Sequence, residues 1–257
     1  VPFLFFKVGM SEPTQRPRRR SIPLTFDPKV QCWQPADSGL SAIAPELLVP
    51  ARLREILKLG AQGPQDPVGC AEYRYPGREA LVSAAVLIPL VVRPEGVNVM
   101  LTKRAAHLHD HAGQISFPGG RVEATDLSPF ATALRETLEE TGLSEDYIEL
   151  LGQMPLYTTA TGFEITPVLS LVKPGFSLHP DTGEVAEVFE VPLAFIANPA
   201  NHRLYQAHLA DGRERQYYAM PWHDHFIWGA TAAMLRNLYH LIRHGLTQET
   251  IEMARAS

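Results

Sequence analysis

The hydrophobic pattern changes period several times along the chain, and each change predicts an element. Ala80 to Val92 is a nearly unbroken run of Ala, Val, Ile and Leu. This pattern suits a strand buried on both faces. Arg93 to Val97 contains Pro94 and Gly96 and reads as a turn, after which Val97 to Thr102 returns as the second strand of a hairpin. Helical spacing appears at Val49 to Leu59, where Leu53, Ile56, Leu57 and Leu59 sit among Arg and Lys and Gly60 is a stop. A second helix is expected from Ser128 to Thr141. Strands follow at Glu149 to Pro155 and Phe163 to Val172, then a short helix at Pro192 to Ile196. His202 to Leu209 and Arg213 to Met220 form a hairpin around Asp211-Gly212, and an amphipathic helix runs from Phe226 to His244 and ends near Gly245. Strands and helices mix without strict alternation. This favours an α+β fold or mixed-sheet sandwich over a doubly wound sheet.

These elements divide the chain. Residues 1–37 read as a flexible arm, with Pro-rich composition and a basic stretch at Arg16, Arg18, Arg19 and Arg20. Residues 38–79 hold the first helix and a Gly- and Pro-rich connector. The main domain spans 80–245, and 246–257 form a tail. The apolar start, Val1 to Val8, is too short to cross a bilayer and lacks the features of a signal peptide. With Met10 close behind, translation is expected to begin at Met10, and a cytoplasmic location follows. A formal net charge of -5 argues against bulk nucleic-acid binding. Cys32 and Cys70 lack metal-site spacing and read as reduced thiols.

The most informative segment lies inside the second helix. At roughly 100° per residue, Phe130, Leu134 and Leu138 share one stripe with Ala131, and that stripe is the expected packing face. Glu136, Glu139 and Glu140 fall on the opposite side. Three carboxylates in one patch repel one another, and a hard divalent cation relieves that repulsion. Read alone, the patch is also compatible with a solvated acidic face. Ahead of it lie Phe117-Pro118-Gly119-Gly120 and Asp126. Adjacent glycines allow close backbone approach to a phosphate or a metal.

Together these residues resemble the Nudix box: Gly120, Asp126, Arg135-Glu136, Glu139-Glu140 and Gly142-Leu143. Asp126 stands in place of the usual Glu, eight residues rather than seven separate it from Arg135, and Thr137 replaces an aliphatic residue. The resemblance implies a mixed-sheet α/β/α sandwich and hydrolysis of a nucleoside diphosphate linked to another group. It also implies Mg²⁺ or Mn²⁺ on Glu136 and Glu140, with Glu139 as ligand or base, Gly120 at the metal, and Arg135 orienting the acids. Upstream, Leu101-Thr102-Lys103-Arg104, Gly113 and Phe117-Pro118-Gly119-Gly120 are similar to the coenzyme A pyrophosphatase branch, as is Ile227 to Ala232. His109 stands where that branch commonly has Arg. The branch implies coenzyme A or a derivative as a small-molecule substrate, with 3′,5′-ADP and 4′-phosphopantetheine as products.

Arg104, Lys103 and Gly119 are the candidate substrate contacts. His107, His109 and His111 read as a polar loop rather than a zinc cluster, Trp228 as core, and Glu164 as an exposed acid. Other nucleotide substrates, such as ADP-ribose, and a non-catalytic nucleotide-sensing module remain rival readings. The sequence is compatible with a monomer or a homodimer.

Overall fold

The computed structural model describes residues 26–37, 39–60, 80–108, 111–209 and 212–256. The arm before residue 26, with Met10 and the basic stretch, lies outside the described residues, as do the connector at 61–79, Cys70, His109 and Asp211.

The predicted buried run becomes β2 (Val82–Arg93), which pairs with β3 (Gly96–Arg104) through the expected tight turn. On its other side β2 runs parallel to β8 (Phe163–Val172), from Val82 opposite Phe163 to Val91 opposite Val172. A central strand covered on both faces needs apolar residues at successive positions, which explains the unbroken run. Strands β4 (Ile115–Ser116) and β9 (Val185–Pro192) extend the sheet beside β3, and β6 (Ile148–Gln153) extends it beside β8. Short β5 (Gly119–Arg121) joins β2 at the end where β8 begins, and β7 (Tyr157–Thr158) joins β8.

Helix α2 (Pro129–Thr141) covers one face of this sheet, where Ala133 meets Ala85, Leu87 and Val168. The opposite face packs against α1 (Pro50–Gly60), α3 (Leu193–Ile196) and α4 (Ala230–Ala256). The result is the expected mixed-sheet α/β/α sandwich. A second sheet of β1 (Cys32–Pro35), β10 (Arg203–His208), β11 (Glu214–Trp222) and β12 (His225–Trp228) flanks α4. Among the described residues, no helix is long and apolar enough to cross a membrane.

Four sequence expectations need correction. Cys32–Pro35, placed in a flexible arm, is an edge strand on β10; pairing with a distant strand is invisible to local composition. Phe226 and its neighbours form β12 rather than the start of the last helix, because Gly229, at φ 64, breaks the chain direction there. That helix does not stop at Gly245 but continues to Ala256, through the expected tail. Gly245 is instead a crossing point: a Cβ there would collide with the carbonyl of Ile56, just as one on Gly60 would meet that of Leu241.

The fourth correction concerns the packing face of α2. Its buried positions are Thr132, Ala133, Thr137, Glu140 and Thr141, whereas Leu138 is 53% exposed and Leu127, just before the helix, 98%. Of the expected stripe, Leu138 faces outward and Leu134 is half-buried, while Phe130 packs against the cluster of Ala85, Leu87, Ala133 and Val168. Thr137 and Thr141 bury cleanly because their hydroxyls donate to the carbonyls of Ala133 and Thr137, each at 2.6 Å. These small residues let the helix approach the sheet closely, which Leu134 and Leu138 would prevent.

The α1–α4 crossing gives a direct test. Gly245→Ala forces the helices apart and should cost about 1–3 kcal/mol, the usual range for overpacking. Urea denaturation reads the change, and an unchanged midpoint would show that the crossing tolerates a methyl group.

Candidate active site

Helix α2 begins with Ser128, whose hydroxyl accepts from Ala131 N at 3.2 Å, followed by Pro129 in its first turn. It ends at Gly142, whose φ of 72° is left-handed. Both ends match their predicted roles, so the register of the acids along the helix is well defined.

Arg135 lies at the centre of the charged network. Its Nε donates to Asp126 Oδ1 at 3.0 Å, and Nη2 donates to Asp126 Oδ2 at 2.9 Å. Nη2 also reaches the carbonyl of Arg121 at 3.2 Å. Nη1 donates to Glu136 at 2.9 Å and to Glu139 at 3.1 Å. The guanidinium therefore ties α2 both to the end of β5 and to the loop before the helix. A planar, five-donor fork suits this task better than an ammonium.

Asp126 is consumed by this structural clamp. Besides Arg135, it accepts from the Glu123 amide at 2.9 Å and the Thr132 hydroxyl at 2.8 Å, and its side chain is 5% exposed. The Arg135 bonds, the largest influence, hold its carboxyl well below the usual range despite burial. Arg135 is in turn pushed above its ordinary value, first by Asp126. The shorter acid and longer spacer noted in the sequence thus still deliver a carboxylate to Arg135.

The three helix acids do not share one setting. Glu136 lies against Gly120, where an added Cβ would strike its carboxyl group. Burial raises its pKa, Arg135 opposes that shift, and the charges of Glu139 and Glu184 add to it. Glu140 is almost wholly buried, at 5% side-chain exposure, and accepts from the Gly119 amide at 3.2 Å. Burial pushes it up to about 7; the Gly119 bond and Arg104, 3.6 Å away, act the other way, and Glu136 and Glu184 add to the rise. Glu139 is 59% exposed and points along the surface to Arg135. The structure therefore brings Glu136 and Glu140 together at Gly119-Gly120 and leaves Glu139 at the rim.

Arg104 and Lys103 separate for a geometric reason. Side chains alternate across a strand, so Arg104 faces Glu140 while Lys103 turns to the other side of the sheet, in register with Glu187 and Ile115. His107 bonds the carbonyl of Gly183 and His111 bonds Gln114, so these two serve loop structure rather than a common centre. Trp228 packs edge-on against Tyr217 in the second sheet, 5.4 Å between centroids. Glu164 lies on β8, opposite Ser83 and Thr158. Sequence reasoning missed Glu184, whose charge acts on Glu136 and Glu140; it has no motif spacing and reaches them only through the fold.

The donor set fits a hard divalent cation. A buried carboxylate, Glu140, and a half-buried one, Glu136, both with raised pKa values, stand beside Gly119-Gly120, and the missing side chain of Gly120 leaves room for Glu136. Among the described residues, no three His, Cys, Asp or Glu side chains form a ready-made cage. An ion such as Mg²⁺ needs none, because it keeps waters and takes one or two carboxylates together with substrate phosphates.

This pairing of a sandwich fold with an Arg-clamped acidic helix is that of a diphosphate-cleaving enzyme. The NUDIX domain family matches residues 82–211, and the chain belongs to that family. It is similar to the Nudix hydrolase NudL of Cronobacter sakazakii, 42% identical over 156 residues, covering 60% of this chain and 80% of that protein. NudL of Salmonella newport is 40% identical over the same shares. Among solved structures, a MutT/nudix family protein from Enterococcus faecalis gives a TM-score of 0.42 at 19% identity, covering 67% of this chain and 66% of that one. The NUDIX domain of Shewanella oneidensis NrtR, complexed with ADP ribose, gives 0.36 at 23% identity, covering 48% and 80%. The chain is a Nudix pyrophosphohydrolase acting on a substrate that contains a pyrophosphate group, and enzymes of this family generally use divalent metal ions.

Two substitutions probe the geometry. Asp126→Asn keeps the shape but removes the charge opposite Arg135, and should cost about 1.5–3 kcal/mol, the scale of a hydrogen bond to a charged group. Chemical denaturation measures it; wild-type stability would mean that the clamp is idle. Gly120→Ala should displace Glu136 and reduce turnover by ~10²-fold, as misplacements of about 1 Å can do. Full activity in that variant would separate Glu136 from the reaction.

Proposed function

We propose that the chain hydrolyses the pyrophosphate bond of coenzyme A or a derivative, giving 3′,5′-ADP and 4′-phosphopantetheine, with Mg²⁺ or Mn²⁺ held by Glu136 and Glu140. The observation that carries this reading is the contact of Arg104 with Glu140. It brings the upstream Leu-Thr-x-Arg signature into the same site as the acidic helix. The similarity to NudL hydrolases over much of the chain is consistent with it.

The residues divide the work. Glu136 and Glu140 would hold the cation, and Arg135 keeps Glu136 oriented through its own anchor on Asp126. When bound, the ion neutralises pyrophosphate charge and lowers the pKa of a coordinated water. Arg104, 3.6 Å from Glu140, stands where its guanidinium could meet a phosphate oxygen. The Gly119-Gly120 backbone permits close approach of the diphosphate. Glu139, exposed at the rim and bonded to Arg135, would accept the proton of the attacking water.

A substrate panel read by product mass tests the assignment. Release of 3′,5′-ADP from coenzyme A is the expected result, and cleavage of ADP-ribose alone would contradict the substrate. Glu140→Gln and Glu136→Gln should each abolish turnover while circular dichroism stays native. Near-normal rates in either variant with excess Mg²⁺ would remove that residue from the site.

A further inference from the structure

We propose that Arg121, stacked on Phe163 on the sheet face away from α2, recognises the 3′-phosphate of the substrate and so selects the 3′-phosphoadenosine end. The inference rests on the reading of coenzyme A as the substrate and names the side chain that sets that choice.

Gly120 and Arg121 are neighbours on β5 but serve opposite faces. Gly120 is in register with Ala85, which packs against α2, and Arg121 with Ala84. One step along a strand advances about 3.3 Å and reverses the side-chain direction. The backbone of Arg121 is fixed by the site itself. Its carbonyl accepts from Arg135 Nη2 at 3.2 Å, and the next amide, Val122 N, donates to the carbonyl of Ser83 at 3.0 Å. Its side chain reaches across β2 to β8, where the guanidinium carbon lies over the Phe163 ring, 5.4 Å from the centroid. Phe163 is opposite Val82, two residues from Ala84, and therefore shares this face. The ring is firmly mounted as well. Phe163 N donates to the Thr159 hydroxyl at 3.0 Å, Thr159 N donates to the Phe163 carbonyl at 2.9 Å, and Val82 N donates to the carbonyl of Gly162 at 2.9 Å.

A guanidinium stacked on a ring keeps its in-plane donors free. Among the described residues, the side chain of Arg121 has no hydrogen-bond or ion-pair partner, and its contact is the Phe163 ring. Other cations near the site are differently placed. Arg135 bonds three acids, Arg104 faces Glu140 on the α2 side, and Lys103 is in register with Glu187. Arg121 is half-buried, and a partly desolvated cation without an acid favours an anion at its edge. The scissile diphosphate belongs with the cation at Gly120, on the α2 face. Arg121 presents its donors one residue further on and to the other face, so it meets a different anion of the same substrate. Coenzyme A carries one, the 3′-phosphate, separated from the diphosphate by a ribose. ADP-ribose and dephospho-coenzyme A carry none. A planar fork matches a phosphate through two parallel hydrogen bonds.

The test compares kcat/KM for coenzyme A and for 3′-dephospho-coenzyme A, using the full chain with Mg²⁺. The wild-type chain should prefer coenzyme A by ~10- to 100-fold, the scale of a hydrogen bond to a charged group. Arg121→Gln should erase that preference, chiefly by raising KM for coenzyme A, and Arg121→Lys should restore part of it. Arg203→Gln removes another stacked guanidinium, 4.3 Å from the Trp33 centroid in the second sheet, and should keep the wild-type preference. Equal losses on both substrates in Arg121→Gln would overturn the proposal and reduce Arg121 to a support for β5. A wild-type chain that cleaves both substrates equally would overturn it too, while leaving coenzyme A as a substrate. Loss of preference in Arg203→Gln would overturn it as a diffuse charge effect. A wild-type chain that cleaves neither compound would overturn the coenzyme A reading, and this inference with it.

Discussion

The site depends on one half-buried ion pair, Arg135 with Asp126. Both oxygens of the aspartate and two nitrogens of the guanidinium are engaged, and the remaining acceptor capacity goes to a backbone amide and a threonine hydroxyl. An ion pair removed from water is stable only when its other hydrogen-bonding groups are also met. Here they are met, and the same guanidinium still reaches Glu136, Glu139 and the carbonyl of Arg121. The rotation of α2 about its axis follows from this clamp, and so does the direction of its acids.

That rotation explains the unusual composition of the buried face of the helix. Turning Glu136 and Glu140 toward β5 also turns Ala133, Thr137 and Thr141 toward the sheet. Only small side chains fit at that distance, and the threonines compensate their hydroxyls within the helix. Gly119 and Gly120 complete the arrangement from the strand side, because a Cβ at either position would meet backbone or carboxylate atoms. Glu140 is consequently buried and Glu136 half-buried beside a narrow seam of backbone, where a lone negative charge is costly and a cation is favoured.

Much of this was legible in the chain. The buried run of β2, the hairpin into β3, β8 and both ends of α2 follow from period, turn residues and caps. The acids, and Arg135 as their orienting partner, were legible through the spacing of Arg135 and Glu136 to Glu140 after Gly120, whereas Asp126 as the anchor of Arg135 emerged only from the fold. The packing face of α2 was misjudged because Leu134 and Leu138 outrank threonine on any hydrophobic count, while a threonine bonded to its own helix buries without penalty. Strand β1 and Glu184 escaped notice for a different reason. Their partners are distant in sequence, so no local pattern marks them. Lys103 and Arg104, adjacent in the chain, were grouped until strand alternation put them on opposite faces.

The central claim is that Glu136 and Glu140 hold the cation while Asp126 and Arg135 hold the helix. Anomalous diffraction from crystals soaked in Mn²⁺ tests it most directly. A Mn²⁺ peak is expected at ligand distance, about 2.0–2.2 Å for a small hard cation, from carboxylate oxygens of both Glu136 and Glu140, with the Asp126–Arg135 pair intact. A peak bound to Asp126, or one that leaves Glu140 without a metal contact, would contradict it.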